Sequence, residues 1–325
     1  MTTYRTRSLY SQSSQSSHNI PNDANKMLST MQRLFPFSCG DACNAALMAA
    51  VHANKSTKST NSTKSTKSTM AIGSNAICGR RKHMEDRHSI VRDIVNGAHY
   101  IGVFDGHGGP HVATGCAAIL ADSVRESLCH SKERPSAAAA LSTALKQADV
   151  CGLASLGADL SMTGSTATMA LIDLTHITVC HIGDSCAYLL RGHQLLAMSR
   201  CHKPSRPDER DRIKQAGGFI SCTPSDKTER VQGVLAISRA IGDHKLRPFV
   251  SGEPDVRAIE RSQDDKILLI ATDGLWDVVT PREAMEIAGT VPQGPAAGEA
   301  IASLLVQVAY DRKSKDNITV VAVVF

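Results

Sequence analysis

The chain has 325 residues, ten cysteines and a formal net charge of +5. Residues 1–70 carry eight Lys or Arg and two Asp, which leaves a net −1 on the other 255 residues, and this near-neutral part gives no reason to expect a nucleic-acid partner. No apolar run reaches the roughly eighteen residues of a membrane helix, and scattered cysteines without a secretory leader indicate a reduced, intracellular protein that is not membrane-bound.

The first 34 residues are rich in Ser, Gln and Asn, with Arg5, Arg7 and Arg33 and a single acid, Asp23. This composition resembles a transit peptide, so import into mitochondria or another organelle is one interpretation. The other is a disordered arm, which is favoured because the stretch lacks an amphipathic Arg-rich helix. We therefore expect a cytoplasmic or nuclear protein, with organelle import as the alternative.

A short apolar patch from Ala42 to Val51 is long enough for one helix, and the repeat KSTKSTNSTKSTKST follows from Lys55 to Thr69. The repeat contains no apolar residue, so it cannot bury a core and is typical of a flexible tether. The sequence therefore predicts a disordered basic tail and tether over residues 1–70 and one folded domain over residues 71–325.

Beyond the tether, short apolar runs alternate with longer stretches of helical period. The predicted strands are His88–Val95, Tyr100–Phe104, Thr166–Asp173, Ile177–Ile182, Ala187–Arg191, Val234–Ile237, Lys266–Ala271 and Ile318–Phe325. The predicted helices are Pro110–Cys129, Pro135–Ala154, Pro207–Ala216, Pro281–Ala288 and Pro295–Arg312, each with Pro near its start. Strands come in consecutive groups and two helices follow one another, which predicts an α+β fold and not a doubly wound sheet.

Four carboxylates fall at the ends of apolar strands. Asp105 ends the run YIGVF, Asp184 follows ITVCHIG, Asp273 follows KILLIAT, and Asp316 precedes ITVVAVVF. A single Asp at a strand end is most often a turn or cap residue. Four that meet at one edge cannot all stay ionised without cations between them. Because the donors are oxygens, with no His or Cys at zinc spacing, the pattern predicts a site for several Mg²⁺ or Mn²⁺ ions.

Nine short strings lie in a fixed order between residues 79 and 325: RRKHMED, VFDGHGG, GSTA, GDS, HKP, AGG, RVQGVLAISRAIGD, TDGLWD and DNITVVAVVF. Taken together, they resemble the signature of the type 2C metal-dependent protein serine/threonine phosphatases. The resemblance implies a central antiparallel β-sandwich flanked by helices, in α-β-β-α layers, with a two-metal site at one edge. It also implies that residues 71–325 are a phosphatase catalytic domain that acts on phosphoproteins.

The resemblance also implies roles for individual residues. Asp105 matches the carboxylate that bridges both metals and Gly106 the backbone carbonyl on one of them, while Asp273 and Asp316 match ligands of the other. Glu85 completes this site, partly through water. Two such ions would ready a water to attack phosphorus, so no covalent phosphoenzyme is needed. Three further acids match outer positions: Asp184 and Asp277 a weaker third metal site, and Asp86 a carboxylate that orients metal-bound water.

Arg81 and His107 match the family's phosphate-binding arginine and general acid. A planar guanidinium suits a phosphate dianion, although Arg80 is an adjacent competitor, and strand alternation would place Arg81 and Glu85 on one face. His107 lies between glycines in DGHGG, a setting that favours an accessible imidazole over a histidine packed in the core. Asp243 in AIGD is expected to close a loop or hold a metal-bound water.

The sequence departs from the family's usual pattern at three positions, Cys186, Cys201 and Gln232. None of them matches a metal ligand, and they bear on the flap, residues 203–230, which in the family borders the active site and tunes substrate choice. Two rivals to a monomeric enzyme remain. One is a pseudophosphatase scaffold, and the other is a tethered adaptor whose tail finds the partner.

Overall fold

The structure, a computed structural model, describes residues 70–130, 136–154, 161–222 and 227–325. The predictions for the arm or transit peptide, the patch at 42–51 and the tether at 55–69 lie outside the described residues. The boundary between tail and domain therefore stays a prediction. No helix in the described ranges is both long and apolar enough to cross a membrane.

Fifteen strands and six α-helices make up the described part of the chain. The strands are β1 (Ala71–Ile77), β2 (Arg87–Val95), β3 (Ala98–Phe104), β4 (Gly106–His107), β5 (Gly164–Ser165), β6 (Ala167–Ile172), β7 (His176–Ile182), β8 (Cys186–Arg191), β9 (Gln194–Ala197), β10 (Ile220–Cys222), β11 (Glu229–Val231), β12 (Ile241–Gly242), β13 (Asp255–Glu260), β14 (Asp265–Ala271) and β15 (Ile318–Val324). The helices are α1 (His111–His130), α2 (Ala137–Ala154), α3 (Pro207–Gln215), α4 (Asp273–Trp276), α5 (Pro281–Ala288) and α6 (Ala297–Asp311).

Two five-stranded antiparallel sheets form the centre of the domain. Their strand orders are β1-β15-β14-β8-β9 and β13-β7-β6-β3-β2. One apolar core lies between the sheets, a second joins α5 and α6 to the first sheet, and a third joins α1 and α2 to the other sheet. The α+β sandwich that the sequence predicts is confirmed, with helices as its outer layers.

The central strands read as continuous apolar runs because both of their faces are buried. In β15, Val320 and Ala322 face the helices, while Val321 and Val323 face the opposite sheet. Such strands carry no polar alternation, and their ends stand out in the sequence for that reason. This is why acids placed at the ends of β3, β7, β14 and β15 could be recognised there.

One predicted strand is wrong, and two strands of six or more residues were missed. Residues 234–237 form no strand, since Val231 and Leu235 close a tight turn with one isolated bridge. β13 was missed because it is a mostly exposed edge strand whose pairing with β7 comes from its backbone. β1 was missed because Ser74 and Asn75 interrupt its apolar pattern; their side chains bond His88 and Ser303 at 3.0 and 3.1 Å.

Candidate metal centre and active site

Strand direction brings three of the four strand-end acids together. β3 and β7 both pair antiparallel with β6, so they run parallel and end at the same edge. Asp105 follows β3 and Asp184 follows β7, whereas Asp273 begins α4 just after β14 in the other sheet. Carboxylate oxygens of Asp105, Asp184 and Asp273 lie within 4.8 Å of one another.

Asp316 joins this cluster from the loop before β15. Its Oδ2 accepts a hydrogen bond of 2.7 Å from Arg81 Nη2. Its charge also acts on Asp86, Asp105 and Asp273, whose pKa values it helps to raise. The four acids therefore interact at one edge of the sandwich, with Arg81 at its outer rim.

Several carboxyl groups of this cluster have raised pKa values. Burial, followed by the charges of neighbouring acids, raises the pKa of Asp105 and of Asp273 well above the usual range. Burial also raises the pKa of Asp277. Asp273 Oδ1 is buried and has no hydrogen-bond partner. An ionised Asp273 has no hydrogen-bond donor at Oδ1 to compensate for the burial of this atom, so the arrangement fits a divalent cation with oxygen ligands.

Asp86 lies behind the cluster, where two threonines bind it. Its Oδ2 accepts hydrogen bonds from Thr272 Oγ1 at 3.0 Å and Thr319 Oγ1 at 2.7 Å. Burial is the main cause that raises the pKa of Asp86 to about 6. Since Thr272 directly precedes Asp273, Asp86 also fixes the backbone that carries one of the clustered carboxylates.

The segment that carries Arg81 and Glu85 is a loop, so the prediction that strand alternation places the two residues on one face was wrong. Residues 78–86 lie between β1 and β2 in turns and bends. The buried Asn317 fastens this loop: its Nδ2 donates to Cys78 O at 2.8 Å and His83 O at 3.0 Å, and its Oδ1 accepts from Glu85 N at 2.8 Å. Sequence reasoning missed Asn317, although it adjoins Asp316.

The two competing arginines of this loop are separated by their contacts. Arg81 reaches Asp316 and keeps 58% of its side chain exposed at the cluster. Arg80 turns towards α6, where its Nη1 donates to Tyr310 O at 2.9 Å and Ser314 O at 3.1 Å, and its guanidinium lies 4.3 Å from the Tyr310 ring centroid. Arg81 is therefore the arginine that faces the carboxylates.

Gly106 is the position at which the Glu85 loop and the Asp105 loop meet. A Cβ at Gly106 would lie 2.7 Å from Glu85 O and 3.1 Å from the Ala113 side chain. Only glycine allows this approach, which leaves the backbone of residues 105–107 close to the Glu85 segment.

Two hydroxyl side chains join the loops that carry Asp105 and Asp184. Thr166 Oγ1 accepts a hydrogen bond from Asp105 N at 3.0 Å and lies 2.7 Å from Ser185 Oγ. Thr166 N also donates to Asp105 O at 2.9 Å. These residues were not singled out from the sequence, although they lie in the GSTA and GDS strings.

His107 is paired with Asp243. β4, β5 and β12 form a small three-stranded sheet, which brings His107 Nε2 within 2.6 Å of Asp243 Oδ2. The His107 side chain is 25% exposed, whereas the Asp243 side chain is 1% exposed. A Cβ at Gly164 would collide with both partners. Asp243 is thus the partner of His107, a contact that sequence reasoning did not foresee.

A pair of cysteines and an ion pair lie at the Asp184 end of the cluster. Cys186 and Cys201 face each other, with their Cα atoms 6.4 Å apart, a separation that would allow a disulfide, and the expectation of reduced thiols stays a prediction. Lys203, two residues after Cys201, forms an ion pair with Asp184 Oδ2. Asp277 is the remaining predicted acid, and the charge of Asp184 contributes to its raised pKa.

Comparison with known proteins agrees with this geometry. The family model described as protein phosphatase 2C matches residues 70–318. Probable protein phosphatase 2C 9 of Oryza sativa subsp. japonica is 39% identical over 253 residues, an alignment that covers 69% of this chain and 60% of the relative. Protein phosphatase 2C 37 of Arabidopsis thaliana is 36% identical over 286 residues, covering 78% and 71%. The chain thus spans less than two thirds of the length of the rice relative.

Among solved structures, a protein described as a sex determining protein of C.elegans superposes with a TM-score of 0.73 at 25% identity, covering 79% of this chain and 65% of that chain. The family model extends from the first described residue into the last strand, across the segments that supply all the clustered acids. The chain therefore belongs to the protein phosphatase 2C family.

Proposed function

We propose that this protein is a metal-dependent serine/threonine protein phosphatase that hydrolyses phosphoserine and phosphothreonine monoesters. The observation that carries the proposal is the cluster of the buried Asp184 with the half-buried Asp105 and Asp273, whose carboxylate oxygens lie within 4.8 Å of one another. Like charges held this close are stable only with cations between them. Membership in the protein phosphatase 2C family supports the same reaction.

Asp105, the Gly106 carbonyl, Asp273 and Asp316 would hold two Mg²⁺ or Mn²⁺ ions, with Glu85 contributing partly through water. Asp184 and Asp277 would form a weaker third site, and Asp86 would orient water from behind. When bound, the two ions would supply a water whose pKa is low enough for it to act as a nucleophile at neutral pH. The unpartnered Asp273 Oδ1 supports this assignment.

Arg81 would bind the substrate's phosphate. Its guanidinium lies at the rim of the cluster and is more than half exposed, so an incoming phosphate dianion can reach it. The planar fork suits bidentate contact with two phosphate oxygens. The bond from Arg81 Nη2 to Asp316 Oδ2 would keep the guanidinium pointed at the reaction site.

His107 would protonate the departing serine or threonine oxygen. Asp243 Oδ2 lies 2.6 Å from His107 Nε2, so it can accept the Nε2 hydrogen and fix the ring orientation. That arrangement leaves Nδ1 as the nitrogen that gives its proton to the leaving group. Asp243 is then a positioning residue, because it acts through His107.

The first test is hydrolysis of a phosphothreonine peptide with Mn²⁺ or Mg²⁺, with and without a chelator. We expect activity that requires the cation and an Asp273→Asn protein that is inactive while still folded. Activity that survives chelation would contradict the metal mechanism. A folded wild-type protein that takes up cations but hydrolyses nothing would favour the pseudophosphatase interpretation.

The second test separates the leaving-group role of His107 from a structural one. His107→Gln and Asp243→Asn are each assayed on a phosphopeptide and on an activated aryl phosphate. We expect a loss of about 100-fold or more on the phosphopeptide and a much smaller loss on the aryl phosphate, because only a poor leaving group needs the proton. His176→Gln is the control, because His176 begins β7 and lies at the end of this strand opposite to Asp184. Equal losses on both substrates would contradict the role.

Phosphoproteins are the proposed partners of this site. We expect the protein to act as a monomer inside the cell, without a membrane. A nucleic-acid partner is not expected, because the net charge of residues 71–325 is close to zero. Size-exclusion chromatography and the location of the tagged full chain test these two expectations. If the tail directs the chain to an organelle, the location of the protein changes but the proposed reaction does not.

A further inference from the structure

The Asp184 end of the carboxylate cluster has a buried acid that is already paired with a cation of the protein. Lys203 Nζ forms an ion pair with Asp184 Oδ2. The Asp184 side chain is 5% exposed and that of Lys203 is 37% exposed, whereas the other internal pair, Arg81 with Asp316, lies at the exposed rim. In contrast, Asp273 Oδ1 is buried without a partner. Asp184 is therefore neutralised within the chain, and Asp273 keeps an unpartnered oxygen.

The residue before Lys203, His202, is held by hydrogen bonds to two other segments. His202 N donates to Gly183 O at 2.8 Å, and Gly183 N donates to His202 Nδ1 at 3.1 Å. His202 Nε2 lies 3.1 Å from Asp255 Oδ2. These bonds join the residue before Lys203 to the residue before Asp184. The pairing of Lys203 with Asp184 thus follows from the backbone and is not a chance contact of a mobile surface lysine.

The cysteines Cys186 and Cys201 lie along the same connection. Cys186 lies two residues after Asp184, and Cys201 lies two residues before Lys203, and their Cα atoms are 6.4 Å apart. The backbone bond between Gly183 and His202 therefore belongs to a longer contact between the two segments, which keeps the backbone of Lys203 close to Asp184.

An ammonium and a divalent ion compete for one carboxylate. Asp184 is one of the two acids proposed for a weaker third metal, and an additional cation there would meet the positive charge of Lys203 at contact distance. Like charges this close repel strongly in a partly buried site. A third ion can bind only if Lys203 is displaced or if the ion gives up Asp184.

We infer that the Lys203 ammonium competes with a third divalent ion for the Asp184 carboxylate, so that Lys203 sets how weakly this third ion binds. The inference rests on the proposed function, because it assumes that Asp105, Asp273 and Asp316 hold the two tight ions. It makes Lys203 a positioning residue that sets how many cations the site holds.

The test is a titration of the metal-free full chain with Mn²⁺, in which the free ion is measured by electron paramagnetic resonance. We expect two tight ions on the wild-type protein. Lys203→Met removes the charge and keeps the length of the side chain, so the weak third binding step tightens by about tenfold or more. Lys203→Arg keeps the charge and stays close to wild type. Lys203→Gln replaces the Met variant if that protein does not fold.

Two controls make the result specific. Lys146→Met removes a lysine from the exposed Lys146–Glu253 pair and leaves Mn²⁺ binding unchanged. Asp184→Asn, added to Lys203→Met, abolishes the gain, because the carboxylate that Lys203 released is no longer present. A Lys203→Met protein that binds Mn²⁺ with the same stoichiometry and affinities as wild type overturns the inference.

Failure of the proposed function gives a different result. If the two tight ions remain after Asp105→Asn, the proposed ligands are wrong, and the inference loses its basis as well. If the tight ions disappear with Asp105→Asn while Lys203→Met changes nothing, only the inference about Lys203 is wrong.

Discussion

Glu209 on α3 is a buried acid and Asp273 on α4 is a half-buried acid with a buried Oδ1, but only Glu209 is neutralised by side chains of the protein. Arg239 Nη2 lies 2.5 Å and Arg212 Nη2 2.9 Å from its carboxylate, and Ser238 Oγ lies 2.7 Å away. Burial alone would raise the pKa of Glu209, but the hydrogen bonds from these three residues outweigh it and lower the pKa to about 2. Asp273 has no comparable set of partners, and its pKa is raised.

The partners of a carboxylate indicate whether it has a structural role or binds a cation. An acid that the chain surrounds with its own arginines is part of the scaffold, and Glu209 ties α3 to the segment that carries Ser238 and Arg239. A buried group of acids left mostly without protein cations destabilises the fold unless another cation binds. Asp184 with Lys203 and Asp316 with Arg81 are intermediate cases, in which single members of the cluster are paired with a cation of the protein.

The largest effect is expected from breaking the paired site. Glu209→Gln keeps the shape but removes the charge, leaving Arg239 and Arg212 without their anion, so the free energy of unfolding at pH 7 falls by about 3–5 kcal/mol. Urea unfolding measures it. Glu283→Gln, in the exposed Arg312–Glu283 pair, is the control and changes the free energy of unfolding far less.

The pH dependence of that loss follows from the lowered pKa of Glu209. A carboxyl whose pKa is lower in the folded protein stabilises it fully above the ordinary value of 4.5, and this contribution disappears as the pH falls towards about 2. The difference between wild type and Glu209→Gln is therefore full at pH 7 and smaller at pH 3.5. A difference that does not change between these pH values would contradict the charge-based explanation.

An intermediate effect, of opposite sign, is expected at the unpaired site. Without cations at pH 8, Asp273→Asn removes the charge of a half-buried carboxylate whose buried Oδ1 has no partner, so the free energy of unfolding rises by about 1–3 kcal/mol. With Mn²⁺ present the order reverses, because the variant has lost a proposed ligand. If metal-free Asp273→Asn is destabilised as Glu209→Gln is, the two sites do not differ as described.

The sequence predicted the acids of the site better than their partners. Asp105, Asp184 and Asp273 could be recognised because each follows an apolar strand whose faces are both buried. Asp243 and Lys203 could not be assigned to His107 and Asp184, since each pair joins distant segments without any period or spacing in common. Gly164, between Thr163 and Ser165, is related to the His107–Asp243 pair, because a Cβ at this position in β5 would collide with both side chains.

The smallest effect concerns the competition between protons and cations at the unpaired site. Burial raises the pKa of Asp86 to about 6, and burial with neighbouring charges raises those of Asp105 and Asp273. Acids with raised pKa values take up protons in the folded, metal-free protein as the pH falls through that range, and a cation must displace these protons to bind. The sign is therefore a weaker affinity for Mn²⁺ at lower pH.

We expect saturation with Mn²⁺ to stabilise the protein less at pH 5.5 than at pH 7.5, by about 1.4 kcal/mol for each tenfold loss of affinity. Thermal unfolding with and without Mn²⁺ measures this, and using the difference removes groups that titrate in both forms, such as His181, whose pKa burial lowers to about 3. Asp273→Asn gives the baseline. Equal stabilisation by Mn²⁺ at both pH values would mean that the carboxylates with raised pKa values are not those that bind the ion.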